Sequence, residues 1–201
     1  MKKLPYSFYR QPDVVQIARS LLGKYFFSRI GGKLTGGIIA ETEAYAGVTD
    51  KASHAYNGRR TPRTETMYLP GGFSYVYFSY GMHHLFNVVT NQKDIPHAVL
   101  VRGIIPTEGI DTMIKRRKIN NLKQLCNGPA KLCQAMGITR EHNALNLTGE
   151  ILWIADDGLL LPDEAIEITP RIGIDYAGED ALLPYRFIYR HADYLPVKSR
   201  K

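Results

Sequence analysis

The sequence has no run of apolar residues long enough to cross a membrane. A helical span needs about 18 to 20 such residues, and none of the 201 residues begins a stretch of that length. The start, Met1 to Tyr6, carries neither the apolar segment nor the small-residue cleavage site of a signal peptide. Together these absences predict a protein of the cytoplasm that does not contact membranes.

Cysteine is scarce, with only Cys126 and Cys133 in the chain. The local pattern places both in one helix, where a separation of seven residues puts them two turns apart on one face, out of disulfide reach. We therefore expect both thiols to be reduced, as is usual for an intracellular protein.

Sequence signatures of several enzyme classes are also missing. The six histidines stand at no ligand spacing with the cysteines, so no structural zinc site is predicted. The pair Gly71-Gly72 indicates a turn rather than a phosphate loop, and no GxSxG motif marks a serine nucleophile. We expect no metal and no cofactor. Because the chain has neither a repeat nor a linker, residues 1–201 form one predicted domain.

What the chain does have is an excess of positive charge. It holds 26 Lys and Arg against 19 Asp and Glu, a formal net charge of +7. Such a balance suits a polyanionic partner, because Lys and Arg displace counterions from phosphates. Many basic proteins bind no nucleic acid, however, so charge alone leaves the partner open.

The pattern of apolar and turn residues predicts an α+β fold, a single mixed α/β domain around a curved, largely antiparallel β-sheet. In chain order the predicted elements are a helix over 12–23, a hairpin over 24–46 with its turn at Gly31-Gly32, a polar segment over 47–72, strands over 73–80, 85–90 and 97–105, a helix from its N-cap Thr107 to Lys118, a helix introduced by Asn127-Gly128-Pro129 and ending at Met136, and short strands over 151–154, 166–174 and 185–190. Polar segments as long as 47–72 are often functional.

An acidic strand is the first candidate site. Alternation along the strand places Glu41, Glu43 and Tyr45 on one face. Two carboxylates beside an aromatic ring could polarise water or serve as general acid and base. The alternative, which the local sequence favours, is the solvent-facing side of an edge strand, where charged pairs are common.

The polar segment that follows carries His54 together with Arg59, Arg60 and Arg63. A basic loop can clamp phosphates, and a histidine within it can stack on a ligand or form a hydrogen bond to it. A solvated surface loop explains the same residues equally well.

A cluster of tyrosines follows, with Tyr75 and Tyr77 on one strand face and Tyr80 where the strand turns at Gly81-Met82. Aromatic rings in a basic protein offer platforms on which bases stack, and an aromatic residue at a turn can wedge into a base stack. Core packing and strand propensity are the alternative explanation. The nearby basic clusters favour nucleic acid.

These residues occur in an order and spacing that resemble the alkyladenine DNA glycosylases, also called 3-methyladenine or methylpurine DNA glycosylases. The matching positions are Glu41-Thr42-Glu43-Ala44-Tyr45, His54, Arg59-x-Thr61-Pro62-Arg63, Tyr75-Val76-Tyr77-x-x-Tyr80-Gly81-Met82, Asn87, Arg102, Leu125-Cys126-x-Gly128-Pro129-x-Lys131-Leu132-Cys133-Gln134-Ala135 and Arg171-Ile172-Gly173. The resemblance covers nearly the whole chain. It implies a DNA repair enzyme that flips damaged purines out of the duplex and hydrolyses their glycosidic bond.

The resemblance also implies roles for single residues. It makes Glu43 the general base, Arg102 and the backbone near His54 the groups that hold the attacking water, and Asn87 the side chain that rejects guanine. The side chains that stack on the flipped base would be Tyr45, His54 and Tyr77, and those that enter the duplex Tyr80 and Met82. The phosphate contacts would come from Arg59, Arg60 and Arg63.

Further expectations follow from the same resemblance. A β-hairpin would protrude into the minor groove and carry the intercalating residues. No lysine occurs among the matched positions, so we expect direct hydrolysis without strand scission. The partner would be double-stranded DNA with damaged purines, bound by a monomer. The lack of a long N-terminal extension indicates a bacterial protein of the nucleoid.

The chain differs from mammalian members in His83-His84 directly after the Gly81-Met82 turn and in an insertion around 92–96. Two other function classes stay open. A non-catalytic RNA- or tRNA-binding domain would explain the charge and the tyrosines. A sugar glycosidase could use Glu41 and Glu43 as its carboxylate pair.

Overall fold

The computed structural model describes residues 1–79 and 81–196. Its centre is a nine-stranded sheet in which all the pairings described are antiparallel. In chain order the strands are β1 (Lys2–Lys3), β2 (Tyr25–Ile30), β3 (Lys33–Tyr45), β4 (Ser74–Ser79), β5 (His83–Thr90), β6 (His97–Glu108), β7 (Leu152–Asp156), β8 (Ile166–Thr169) and β9 (Arg186–Tyr189). This curled antiparallel sheet, with few helices, confirms the predicted α+β fold.

The strand order is β1-β7-β2-β3-β6-β5-β4, and β9, which also pairs with β8, joins the second half of β3. The strand β3 therefore has partners along both edges, with β2 and then β9 on one side and β6 on the other. The interpretation of Glu41 and Glu43 as the solvent face of an edge strand is wrong. These two side chains have 1% and 0% of their surface exposed, because strands distant in sequence cover them.

Within the described residues, four α-helices accompany the sheet: α1 (Tyr6–Tyr9), α2 (Val14–Ser20), α3 (Ile110–Arg117) and α4 (Pro129–Met136). The helix predicted over 12–23 is present as α2, whose N-cap Asp13 accepts hydrogen bonds from the backbone N–H groups of residues 15 and 16. The predicted α4 is confirmed as well. It has Pro129 in its first turn and ends at Gly137, whose φ of 75° suits a glycine.

Two predicted boundaries are wrong. Thr107 is not a helix N-cap, because β6 continues to Glu108, which pairs with Gly36 of β3, and α3 begins only after Gly109. The strand predicted over 166–174 ends at Thr169, because Pro170 follows and cannot donate to a ladder. Pairing with β3 therefore extends β6 beyond its predicted end, and the missing N–H of Pro170 shortens β8.

The two cysteines are free, as expected, and the structure buries both of them. Cys133 lies in α4, whereas Cys126 precedes that helix. The prediction that one helix carries both is therefore wrong. Among residues 1–79 and 81–196, no helix is long and apolar enough to cross a membrane.

The polar segment 47–72 forms three short 3-10 helices, Gly47–Thr49, Tyr56–Gly58 and Glu65–Tyr68, joined by turns. It is anchored by a small core of its own, in which Met67 and Tyr68 pack with Tyr75 of β4. This packing holds the loop, and with it His54, against the face of β4.

Candidate active site

A cavity of about 250 Å³ opens between the second half of β3, the β4–β5 pair, β6 and the polar loop. Its volume lies just below the range of about 300–1,000 Å³ typical of ligand pockets. The walls combine aromatic, aliphatic and polar side chains. The cavity is lined by Tyr45, Ala52, His54, Arg63, Met67, Tyr75, Tyr77, Ser79, Leu85, Asn87, Ala98, Leu100, Arg102, Ile172, Gly173, Ile174 and Tyr176.

The carboxylate of Glu43 lies directly behind this wall. Its Oε1 accepts a hydrogen bond from the backbone N–H of Ile172 at 2.8 Å and lies 3.3 Å from Nη1 of Arg102. Its Oε2 accepts a hydrogen bond from the hydroxyl of Tyr45 at 2.9 Å. All three partners line the cavity. A carboxylate has about four acceptor positions, so Glu43 retains capacity for one further donor.

The second carboxylate, Glu41, is bound by cations. Its Oε1 accepts hydrogen bonds from Nε of Arg102 at 2.6 Å and Nε of Arg186 at 2.8 Å, and its Oε2 accepts one from the hydroxyl of Tyr194 at 2.6 Å. Burial by itself would raise the pKa of Glu41, but the two arginines and the tyrosine outweigh it and lower the pKa. Glu41 is therefore ionised and does not line the cavity.

The guanidinium of Arg102 connects the two carboxylates. It is almost fully buried, and although burial disfavours its charge, Glu43 and Glu41 together raise its pKa further above the ordinary arginine value. Arg102 therefore brings a permanent positive charge to the cavity wall beside Glu43.

Besides Tyr176, four aromatic side chains line the cavity. The ring of His54 meets Tyr77 edge to face, with centroids 4.6 Å apart. Tyr75 lies beside both, its ring centroid 5.5 Å from that of Tyr77. The fourth, Tyr45, approaches from β3 with its hydroxyl on Glu43. Aromatic residues predicted on separate elements thus come together.

The imidazole of His54 is neutral and held in one tautomer. Burial, together with the charges of Arg63 and Arg59, lowers its pKa to about 4. Nε2 lies 3.4 Å from Nη2 of Arg63, and because a guanidinium only donates, Nε2 is the acceptor. The remaining proton is then on Nδ1, which donates to the hydroxyl of Tyr75 at 2.9 Å. His54 therefore contributes an uncharged ring.

Asn87 of β5 lines the same cavity as the tyrosines. It is 4% exposed, and its amide Nδ2 donates to the backbone carbonyl of Tyr75, the residue opposite it in the β4–β5 ladder, at 3.1 Å. This bond fixes the orientation of the amide at the cavity wall.

Arg171 anchors the wall segment 172–174. Its guanidinium forms a paired contact with the carboxylate of Asp50 at 2.5 and 2.9 Å, donates to the carbonyl of Ala44, and lies 4.8 Å from the ring centroid of Tyr45. Both side chains of the ion pair are essentially without exposed surface. The segment that donates to Glu43 is thus tied to the strand that carries Glu43.

The three predicted phosphate-binding arginines differ in their surroundings. Arg63 lines the cavity and lies over the ring of Tyr77, while Arg59 is close enough to His54 to lower its pKa. Arg60 is exposed and forms ion pairs with Glu65 and Asp94. Arg59 and Arg60 do not line the cavity.

Of the two predicted intercalating residues, the structure describes Met82, at the turn between β4 and β5. Met82 is 67% exposed and borders a second groove rather than the cavity. Gly81 adopts a φ of 68°, which lets the chain reverse there. Tyr80 lies outside the described residues.

Several contributors to the site were not singled out from the sequence. Ile172 belongs to a matched motif, but its backbone donor role becomes visible only in the fold. Tyr176, at the cavity, is an exposed aromatic residue in an irregular segment without periodicity. Arg186 and Tyr194 carry no pattern that distinguishes them from surface residues.

No metal centre is evident in the part of the chain that the structure describes, where no group of three His, Cys, Asp or Glu side chains could hold an ion.

The chain matches the family model of methylpurine-DNA glycosylase over residues 7–193. It is similar to proteins named "Putative 3-methyladenine DNA glycosylase" in three bacteria. That of Chlamydia felis is 50% identical over 92% of this chain and 95% of the relative. That of Clostridium acetobutylicum is 47% identical over 92% and 93%, and that of Clostridium perfringens strain 13 is 43% identical over 98% and 100%. The chain therefore belongs to the methylpurine-DNA glycosylase family and is a DNA glycosylase, an enzyme that hydrolyses N-glycosyl bonds.

Proposed function

We propose that this enzyme excises alkylated or deaminated purines from double-stranded DNA by direct hydrolysis and leaves an abasic site. The substrate class comprises 3-methyladenine, 7-methylguanine, hypoxanthine and ethenoadenine. The observation that carries the proposal is the carboxylate of Glu43, which touches a cationic arginine and lies behind an aromatic-lined cavity of about 250 Å³.

A base inside a duplex cannot reach such a cavity, so the nucleotide has to rotate out of the stack. Flipping costs a few kcal/mol and least for a damaged or mismatched base, which contributes to selection. Once flipped, a purine would stack between Tyr45, His54 and Tyr77. The neutral state of His54 suits this role, because a cationic ring would repel the positive charge of an alkylated purine.

In the proposed chemical step a water molecule attacks C1′ of the sugar. The bond from the water oxygen to C1′ forms as the N-glycosidic bond breaks, and the electron pair of that bond leaves with the purine. The sugar passes through an oxocarbenium-like state, which the negative charge of Glu43 would stabilise. Glu43 would orient the water and accept its proton, with Arg102 close to the same carboxylate.

The cavity walls also support a monofunctional reaction. A glycosylase that cuts the DNA strand needs an amine that forms a Schiff base with the sugar. Among the cavity-lining residues described, none is a lysine.

Two further surfaces could bind the DNA. One is the β4–β5 turn with the exposed Met82, proposed to enter the duplex together with Tyr80. The other is the second groove, where Arg117 and Lys131 donate only to neutral oxygens. Neither of these cations forms an ion pair with another described residue. Cations without acidic partners suit a phosphate backbone.

The proposed function is tested with a duplex that carries a single hypoxanthine. We expect strand cleavage only when incubation is followed by alkali, because alkali breaks the strand at an abasic site. Cleavage without alkali would contradict the monofunctional mechanism. An unchanged duplex would contradict the excision of this lesion, and binding without any excision would favour a non-catalytic nucleic-acid-binding domain.

Asn87 is expected to exclude normal guanine. Its amide, held by the carbonyl of Tyr75, would crowd the exocyclic amine that guanine carries and hypoxanthine lacks. The same amine in 7-methylguanine would be crowded too, but that base is already cationic and leaves readily. Asn87→Ala should therefore excise undamaged guanine opposite a mismatch slowly but measurably, while excision of hypoxanthine continues. The release of free guanine measures this effect. Unchanged guanine release would assign Asn87 a purely structural role.

Salt dependence should reveal the cations of the second groove. The logarithm of the affinity falls with the logarithm of the salt concentration. Arg117→Gln and Lys131→Gln should each make this fall shallower by about one unit of slope, equally on damaged and undamaged duplex. Fluorescence anisotropy at several salt concentrations measures the slope. The matched control, Lys2→Gln, removes a cation from β1, at the opposite end of the sheet from β4. An equal slope for all four proteins would exclude the groove from the DNA interface.

A further inference from the structure

The two buried carboxylates share one arginine. Nε of Arg102 is 2.6 Å from Oε1 of Glu41, and Nη1 of the same guanidinium is 3.3 Å from Oε1 of Glu43. Because the guanidinium is rigid and planar, a movement that shortens one contact lengthens the other. How closely Arg102 approaches Glu43 therefore depends on how strongly Glu41 attracts it.

Glu41 has two further donors, Arg186 and Tyr194, from the C-terminal part of the chain. The hydroxyl of Tyr194 reaches Glu41 by lying on the backbone of β6, where residue 103 is glycine. A Cβ at Gly103 would stand 2.0 Å from this hydroxyl. The close approach is possible only because that position has no side chain.

The segment around Tyr194 is held in place by polar contacts of its own. The ammonium of Lys123 donates to the carbonyl of Ala192 at 2.9 Å, and Nδ2 of Asn127 donates to the carbonyl of Leu195 at 2.9 Å. The tyrosine itself is 7% exposed. These contacts give the phenol a defined position against Glu41.

We infer that Glu41 and Tyr194 are positioning residues. They determine how closely the guanidinium of Arg102 approaches Glu43 rather than Glu41. The inference rests on the proposed role of Glu43 as the base. Glu41 is not a second base, because two arginines and a phenol already donate to its oxygens. All three contacts of Glu43, in contrast, come from residues that line the cavity.

Glu43 is surrounded by charged and titratable groups from several elements. They are Tyr45 of β3, Tyr77 of β4, Arg102 of β6, Arg171 of the wall segment and Arg186, which pairs opposite Glu43 in β9. None of these groups changes when Glu41 or Tyr194 is replaced. Replacing Glu41 also removes a negative charge that shares Arg102 with Glu43, whereas Tyr194→Phe changes no charge. A shift of the acid limb, the rise of the excision rate at low pH, therefore reports on Arg102 most directly in Tyr194→Phe.

Two substitutions should shift this acid limb in opposite directions. In Glu41→Gln the carboxylate that competes for Arg102 is gone, so Arg102 favours the ionised form of Glu43. The acid limb for 7-methylguanine excision should move to lower pH by about one unit. In Tyr194→Phe, Glu41 loses a donor and attracts Arg102 more strongly, so the limb should move to higher pH by a few tenths of a unit. Single-turnover rates across pH measure both.

The plateau rates decide between positioning and catalysis. Both variants should keep a plateau that falls by less than the factor of about 100 expected from the loss of a base. Asp156→Asn, which breaks the ion pair with Lys24 far from the cavity, is the control and should leave the limb in place. If Glu41→Gln does not fold, Tyr194→Phe decides alone.

Several results would overturn the inference. The first is an acid limb that stays at the same pH in both variants, and the second is a shift in the same direction in both. The third is a Glu41→Gln enzyme whose rate does not rise with pH at all. Failure of the proposed function is distinct, because then the wild-type enzyme itself would not release 7-methylguanine.

Discussion

Glu43→Gln is expected to lower the single-turnover excision rate at least about 100-fold, the usual contribution of a general base. The amide oxygen can still accept from the N–H of Ile172, so the fold and the binding of damaged DNA should persist. The amide cannot take a proton from water, however. Rates at saturating enzyme, together with affinity measured by anisotropy, separate the two effects.

The control is Glu150→Gln, which changes an exposed carboxylate on the protein surface and should leave the rate unchanged. Loss of lesion affinity in Glu43→Gln would show that the carboxylate acts in binding. A rate within a few fold of wild type would mean that another group activates the water.

The pH profile of the wild-type enzyme should depend on the leaving base. Its rate should rise with pH, because a general base accepts a proton only in its ionised form. Hypoxanthine is neutral and leaves more readily when protonated, so its profile should fall again and form a bell. The already cationic 7-methylguanine should give a rise and then a plateau. Because the pKa of His54 is about 4, its titration lies below the usual assay range. Identical bells for both bases would refute leaving-group protonation.

Arg171→Ala should lower the free energy of unfolding by about 3–5 kcal/mol, the usual cost of removing one partner from a buried ion pair. The carboxylate of Asp50 would remain buried, and the carbonyl of Ala44 would lose its donor. The wall segment 172–174 would also lose its anchor, and with it the N–H that Ile172 donates to Glu43. Excision should therefore slow at temperatures where the protein is still folded.

Urea unfolding followed by circular dichroism measures the change. Arg171→Lys keeps a charge without the planar fork, so its stability should fall between those of wild type and Arg171→Ala. Arg60→Ala removes an exposed arginine and should leave the unfolding midpoint unchanged. A midpoint for Arg171→Ala equal to that of Arg60→Ala would show that the buried pair does not stabilise the fold.

Local features of this protein followed from the sequence alone. The helix that became α2, the β2–β3 turn at Gly31-Gly32 and the proline at the start of α4 depend on residues a few positions apart, and all were predicted. The ordered motifs also indicated the family, because they combine many specific residues along the chain.

What the tertiary structure decided was the environment of these residues. Alternation along β3 placed Glu41 and Glu43 on one face, but not whether that face is covered. Covering it required the segments that bring Ile172 to Glu43 and Tyr194 to Glu41, 129 and 153 residues away in the chain. The same contacts gave Glu41 two arginines and a tyrosine and gave Glu43 the N–H of Ile172. The burial and the charge pairing of a side chain depend on contacts with segments that are distant in the sequence. They can therefore be determined only from the folded structure.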